Sequence, residues 1–172
     1  MRRTTTLFIV TALMLPVAAL SAQAVNDAQI AAIVVTANRV DIDAGKVAES
    51  SASDPQVKAF GKQMVTDHTG VNKQATDLVT KLGVTPEDNA TAQSLKSGGA
   101  ENVKNLSGLK GAAFDRAYIE HEVAYHQQVL DALDKTLIPG AKNAELKALL
   151  VKVRPAFVAH LEHAKMVQKS LK

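Results

Sequence analysis

Val57, Phe60, Met64, His68, Val71, Ala75, Leu78 and Leu82 follow one another at steps of three and four residues. That period places them along one side of a helix, and such a stripe needs helical neighbours to bury it. Three further segments carry the same pattern. Ile30, Ile33/Val34, Ala37, Asp41, Ala44 and Ala48 mark a helix from about Asp27 to Ala52. Phe114, Ile119, Val123, His126, Val129/Leu130, Leu133 and Leu137 mark another from about Ala112 to Leu137. Leu146, Leu149/Leu150, Val153, Phe157, His160, Ala164, Val167 and Leu171 mark the last, from about Asn143. The long segments show this period rather than the alternation of a half-buried strand, so the chain is expected to be all-α.

Local signals divide the stripes. Asn26 or Asp27 can cap the first helix. Ser53-Asp54-Pro55 predicts a stop and restart, with Ser53 as N-cap and Pro55 in the first turn. Gly83 ends the second helix, and Pro139-Gly140 stops the third. Pro155 removes one backbone donor inside the fourth and predicts a kink about one turn before His160. Between Val84 and Lys110 the pattern weakens. There Thr85-Pro86-Glu87-Asp88 opens a short helix that Gly98-Gly99 interrupts, and Leu95, Val103, Leu106 and Leu109 can dock on the rest. The expected architecture is a four-helix bundle of ferritin-like topology, with a partly helical crossover between helices 2 and 3. An up-down bundle with a fifth helix beside it is the alternative.

The first 24 residues read differently. Arg2 and Arg3 precede an apolar run from Leu7 to Leu20, too short to span a bilayer comfortably, and Ala22-Gln23-Ala24 offers a small-x-small cleavage site. A general secretory signal over 1–24 is expected, leaving one domain over 25–172, no transmembrane anchor after cleavage, and a periplasmic or otherwise exported location. The chain holds 20 Lys and Arg against 17 Asp and Glu; without Arg2 and Arg3 the balance is 18 to 17. The remaining basic residues are scattered and aromatics are few, which excludes a nucleic-acid-binding surface. With no cysteine, neither a disulfide framework nor a lipid-anchored N-terminal Cys can form.

Each long stripe is interrupted by one titratable residue: Asp41, His68, His126 and His160. Each lies roughly 20–25 Å along its helix, so the four can meet in one layer. One carboxylate and three imidazoles suit a transition metal such as zinc or iron. Glu122, four residues before His126, adds a fifth ligand or an outer acceptor. His163 drifts to the flank of its helix, His121 faces solvent or a neighbouring helix, and Asp67 is rotated away from the stripe. The competing reading is a layer of mutually satisfied polar groups that only sets helix register. The paired Glu-x-x-His signature of di-iron carboxylate bundles is missing, which disfavours a ferritin-type oxidase.

Several pieces together have the look of a family. They are Ala37-Asn38 with Asp41-Ile42 and Gly45; Val57-Lys58-x-Phe60; Met64-x-x-Asp67-His68; and Leu106-Ser107-Gly108 leading to Phe114-Asp115-x-x-Tyr118. His126-Gln127, Pro155 and His160-Leu161-x-x-Ala164 complete the set. The chain resembles a family of exported bacterial proteins with a ferritin-like four-helix domain, catalogued as a domain of unknown function and often labelled outer-membrane or periplasmic. Where this chain has Asp41, that family usually has Glu. The resemblance implies the bundle fold and the envelope location. It also implies hydrogen bonds between helices from Asp115 and Tyr118, and it implies no reaction.

An exported envelope protein that binds one metal ion in the bundle centre, without turnover, is therefore the leading expectation. A structural or stress-related interaction module and a small metalloenzyme acting on oxygen species are the alternatives. A partner in the envelope or a second copy of the chain stays open.

Overall fold

The computed structural model describes residues 25–171; the expected signal, residues 1–24, lies outside the described residues. The elements are α1 (Asp27–Ser51), α2 (Pro55–Lys81), α3 (Ala90–Ser107), α4 (Gly111–Ala132), a π-helical turn (Leu133–Leu137), the single turn α5 (Ile138–Gly140) and α6 (Ala144–Ser170). Among the described residues there is no strand, and no helix is long and apolar enough to cross a membrane.

The caps follow from local chemistry. Asn26 accepts from the Gln29 backbone while the Gln29 side chain accepts from Asn26, a reciprocal box that opens α1. At the next start the cap is Asp54, one residue after the expected Ser53. Ser53 has another task. Its N–H and hydroxyl, with the Asp54 N–H, all donate to the buried Asp115 carboxylate of α4. Asp115 thus holds the α1–α2 turn against α4, the interhelix role that the resemblance implied. Tyr118 departs from that expectation: it is fully buried and stacked on Phe114, but its hydroxyl has no protein partner among the described residues.

α1 and α2 form one antiparallel hairpin and α4 and α6 the other; α2 packs on α6, and α1 on α4. After Gly83, whose φ of 63° ends α2 as expected, the chain pairs Glu87 N–H with the Ala28 carbonyl at the foot of α1. It then returns along α1 as α3 before α4 begins. That long return is the ferritin-like crossover. It differs from expectation in one respect: α3 runs unbroken through Gly98-Gly99 and opens at the cap Asn89. A Cβ on Gly99 would stand 2.6 Å from Val40 Cγ1. The glycine lets α3 lie directly on α1, and that packing offsets the roughly 1 kcal/mol helix cost of a glycine.

Two prolines leave different marks. Pro139 has no N–H for the Lys135 carbonyl and its ring would press on it. The chain does not stop before it; the turn widens, and Ile138 N–H bonds to the Leu133 carbonyl, five residues back. Pro155 sits inside α6, which continues to Ser170. Pro155 and Val151 are both exposed, so water can reach the Val151 carbonyl that loses its donor.

The core is divided. One apolar cluster, including Phe60, Met64, Phe114, Tyr118, Ile119 and Leu106, fills the end near the α1–α2 turn. A second, including Ile30, Ile33, Leu133, Leu137, Leu150 and Phe157, fills the end near the α5–α6 turn. Between them the four inner helices present buried polar groups: Asn38 and Asp41 from α1, His68 from α2, Glu122 and His126 from α4, and His160 from α6.

Candidate metal centre

Asp41, His68, His126, His160 and Glu122, the five residues singled out on the stripes, meet in this layer, each 3% exposed or less. The three imidazoles form a triangle, with ring centroids 5.7, 5.2 and 5.4 Å apart for the pairs 68–126, 68–160 and 126–160. One ring nitrogen from each lies within 4.8 Å of the other two. Ligand atoms of Asp41, Glu122 and His126 form a second group with the same spread. Tetrahedral donors on bonds of about 2.1 Å stand about 3.4 Å apart, so an ion asks for a contraction of at most about 1.4 Å.

What each imidazole presents is decided by its other nitrogen. Asn38 donates its amide N–H to the Val34 carbonyl at 2.8 Å, which turns Asn38 Oδ1 toward His68 Nδ1 at 2.6 Å. An amide oxygen only accepts, so Nδ1 of His68 carries a proton and Nε2 is the nitrogen turned to Asp41. His126 Nδ1 lies 3.0 Å from the Glu122 carbonyl, with the same result. His160 is the reverse: Nε2 donates to Asp67 Oδ2 at 2.9 Å, leaving Nδ1 bare. The three nitrogens so left, His68 Nε2, His126 Nε2 and His160 Nδ1, are buried and without hydrogen-bond partners among the described residues. His68 Nε2 comes within 2.8 Å of Asp41 Oδ2 and His126 Nε2 within 3.5 Å, but neither approach has hydrogen-bond geometry.

The charges are equally ordered. Burial pushes the Asp41 carboxyl up, but the charge and polar contact of His68, then His126 and Glu122, outweigh it and hold it at about 2. Glu122 goes the other way: burial, then the Asp41 charge beside it, push its carboxyl well up. Burial presses His126 down to about 4 and lowers His160 too, so both imidazoles are neutral near pH 7. The layer thus offers a carboxylate at Asp41 and neutral imidazoles at His126 and His160, the protonation state a metal ion needs in such ligands.

Two members escaped the stripe reading. Asp67, set aside as rotated away, sits on the flank with its side chain 40% exposed, yet its carboxylate fixes the His160 ring. Asn38 does the same for His68. It lies three residues before Asp41, on the same face, a signal already present in the sequence. His163 is on the flank as expected and bonds Gln63, which in turn donates to Asp67. His121 lies at the edge, 30% exposed and stacked on Tyr125.

No curated protein and no solved structure matches the chain. A family model does, that of a domain of unknown function, DUF4142, over residues 13–167. With nearly its whole length matched, the chain belongs to the DUF4142 family.

Proposed function

We propose that this protein binds one divalent transition-metal ion, zinc or iron, at the centre of its bundle, and that it does so in the cell envelope after export. The donors are His68 Nε2, His126 Nε2, His160 Nδ1 and the Asp41 carboxylate, with Glu122 joining when it gives up its proton. The observation that carries the reading is the set of outer acceptors. Asn38 Oδ1, the Glu122 carbonyl and Asp67 Oδ2 each hold one ring nitrogen of an imidazole, and the other nitrogens, His68 Nε2, His126 Nε2 and His160 Nδ1, are left buried in the layer without hydrogen-bond partners among the described residues. A layer built only to set register would be expected to pair those nitrogens with donors.

Envelope fractions from cells making the untagged full chain test both halves of the proposal. The purified protein should have the mass of a chain beginning at Val25 and should carry metal. In chelator the melting temperature should fall, and zinc or iron should restore it. His68→Ala should remove that metal response while the metal-free fold stands. The register reading expects the opposite. His68→Ala then leaves buried Asp41 underpaired, destabilises the metal-free protein by a few kcal/mol, and added metal changes nothing in either form.

A further inference from the structure

A cavity of about 220 Å³ lies beside the polar layer, on the α5 side. Its walls come from α1, α2, α3, α4, the π turn and α6, and twelve of its sixteen lining residues are hydrocarbon side chains. The polar four are Asn38, Thr91, Tyr125 and Gln128. Asn38 is already committed to Val34 and His68, and the Tyr125 hydroxyl to the Ala37 carbonyl at 2.8 Å. Among the described residues no Asp, Glu, His, Lys or Arg faces the space. Water needs two to four polar partners to settle in a cavity, so this one favours an apolar guest.

The way the walls are built maintains the space. The π turn before Pro139 contributes Leu133 and Leu137, both buried against the cavity. α3 forms the outer wall through Thr91 and Leu95. It is set closely on α1 by Gly99, while it meets α4 at few points. On the inner side Phe157 stands between cavity and imidazoles, its ring 5.1 Å from that of His68 and 6.1 Å from that of His126.

We infer that this cavity is a binding site for a compact, uncharged, apolar molecule, held one aromatic ring away from the Asp41–His68–His126–His160 layer. A cavity of about 150 Å³ accepts the six carbons of benzene, so by proportion this one takes a guest of roughly nine carbons. The site goes beyond the metal proposal: none of its walls is a proposed ligand, although Asn38, which holds His68, borders both.

The test uses the full mature chain, stripped of metal by chelator, with methyl resonances read by NMR. Benzene should shift the methyls of Ile33, Val71, Leu133 and Leu150 saturably and leave those of Met64 and Ala164, at the other end, unmoved. Benzoate, the charged counterpart, should shift none of them. Ala132→Phe, which puts a ring into the space, should weaken benzene at least tenfold. If that variant does not fold, a size series on the wild type decides. Affinity should rise from benzene to indane and fall for pyrene, as a space of about 220 Å³ requires. Silent lining methyls, undiminished binding in a folded Ala132→Phe, or affinity that climbs without limit with carbon count would each overturn the inference. Every measurement is made without metal, so failure here leaves the metal reading standing, and the reverse holds too.

Discussion

The two ends of the bundle are packed by different means. Near the α1–α2 turn, α1 and α2 touch through glycine: a Cβ on Gly45 would stand 2.8 Å from the Gly61 carbonyl oxygen, and one on Gly61 2.7 Å from Ala48 Cβ. Around that contact Phe60, Phe114 and Tyr118 interlock by edge and face. Near the α5–α6 turn the filling is aliphatic apart from Phe157, the helix ahead of Pro139 is widened into a π turn, and a cavity remains. One end is specified by close backbone approach and rigid rings, the other by branched chains that leave room. The polar layer therefore rests on a stiff platform on one side and borders adaptable space on the other.

The largest effect should come from the stiff end. Phe60 is fully buried between Tyr118 and His163, so Phe60→Ala should cost about 3–5 kcal/mol in urea unfolding. A loss below about 1 kcal/mol would mean the rings there are no better packed than the aliphatic end. Adding atoms should sharpen the contrast. Gly61→Ala must push α1 from α2 and should cost about 1–3 kcal/mol. Ala132→Leu extends into open space and should change stability by less than about 1 kcal/mol. Equal penalties would remove the distinction between the ends.

The layer between them should answer to acid. Unfolded His126 takes up its proton near 6.5 but the folded residue only near 4, so the unfolded state binds more protons in that window and stability falls as pH falls through it. Glu122 works against this. Its folded carboxyl is raised above 4.5, the folded state holds the extra proton, and its contribution weakens as pH rises. Glu122→Gln removes the opposing limb. Chelated Glu122→Gln protein should therefore lose stability more steeply than wild type between pH 6.5 and 4.5, at up to about 1.4 kcal/mol per pH unit from His126. Parallel curves for the two proteins would mean that Glu122 is ionised in the metal-free layer.

Much of the fold and of the polar layer is legible in the residue pattern. Steps of three and four residues locate the four inner helices, and the titratable residues Asp41, His68, Glu122, His126 and His160 on those stripes are the five that meet. The run Ile30-Ala31-Ala32-Ile33-Val34, buried throughout, carries a further signal: a helix apolar on every side has neighbours all round, and α1 carries α2, α3 and α4. Gly98-Gly99 misleads because helix propensity is a local quantity, whereas Gly99 answers to Val40 on another helix. Asp67 misleads because stripe membership follows the Cα direction, and a flanking carboxylate can still reach a ring on the next helix.

By itself, then, the sequence determined which segments are helical, which faces turn inward and which residue types share the middle layer. These depend on interactions within about four residues and on the period of burial. Only the tertiary structure decided which nitrogen of each histidine an outer acceptor holds, that burial beside Asp41 raises the Glu122 carboxyl, and that an apolar-lined cavity lies behind Phe157. The reason is distance along the chain. His68 takes its tautomer from Asn38, 30 residues away, and His160 from Asp67, 93 residues away, so the chemistry of the layer exists only once the helices are side by side.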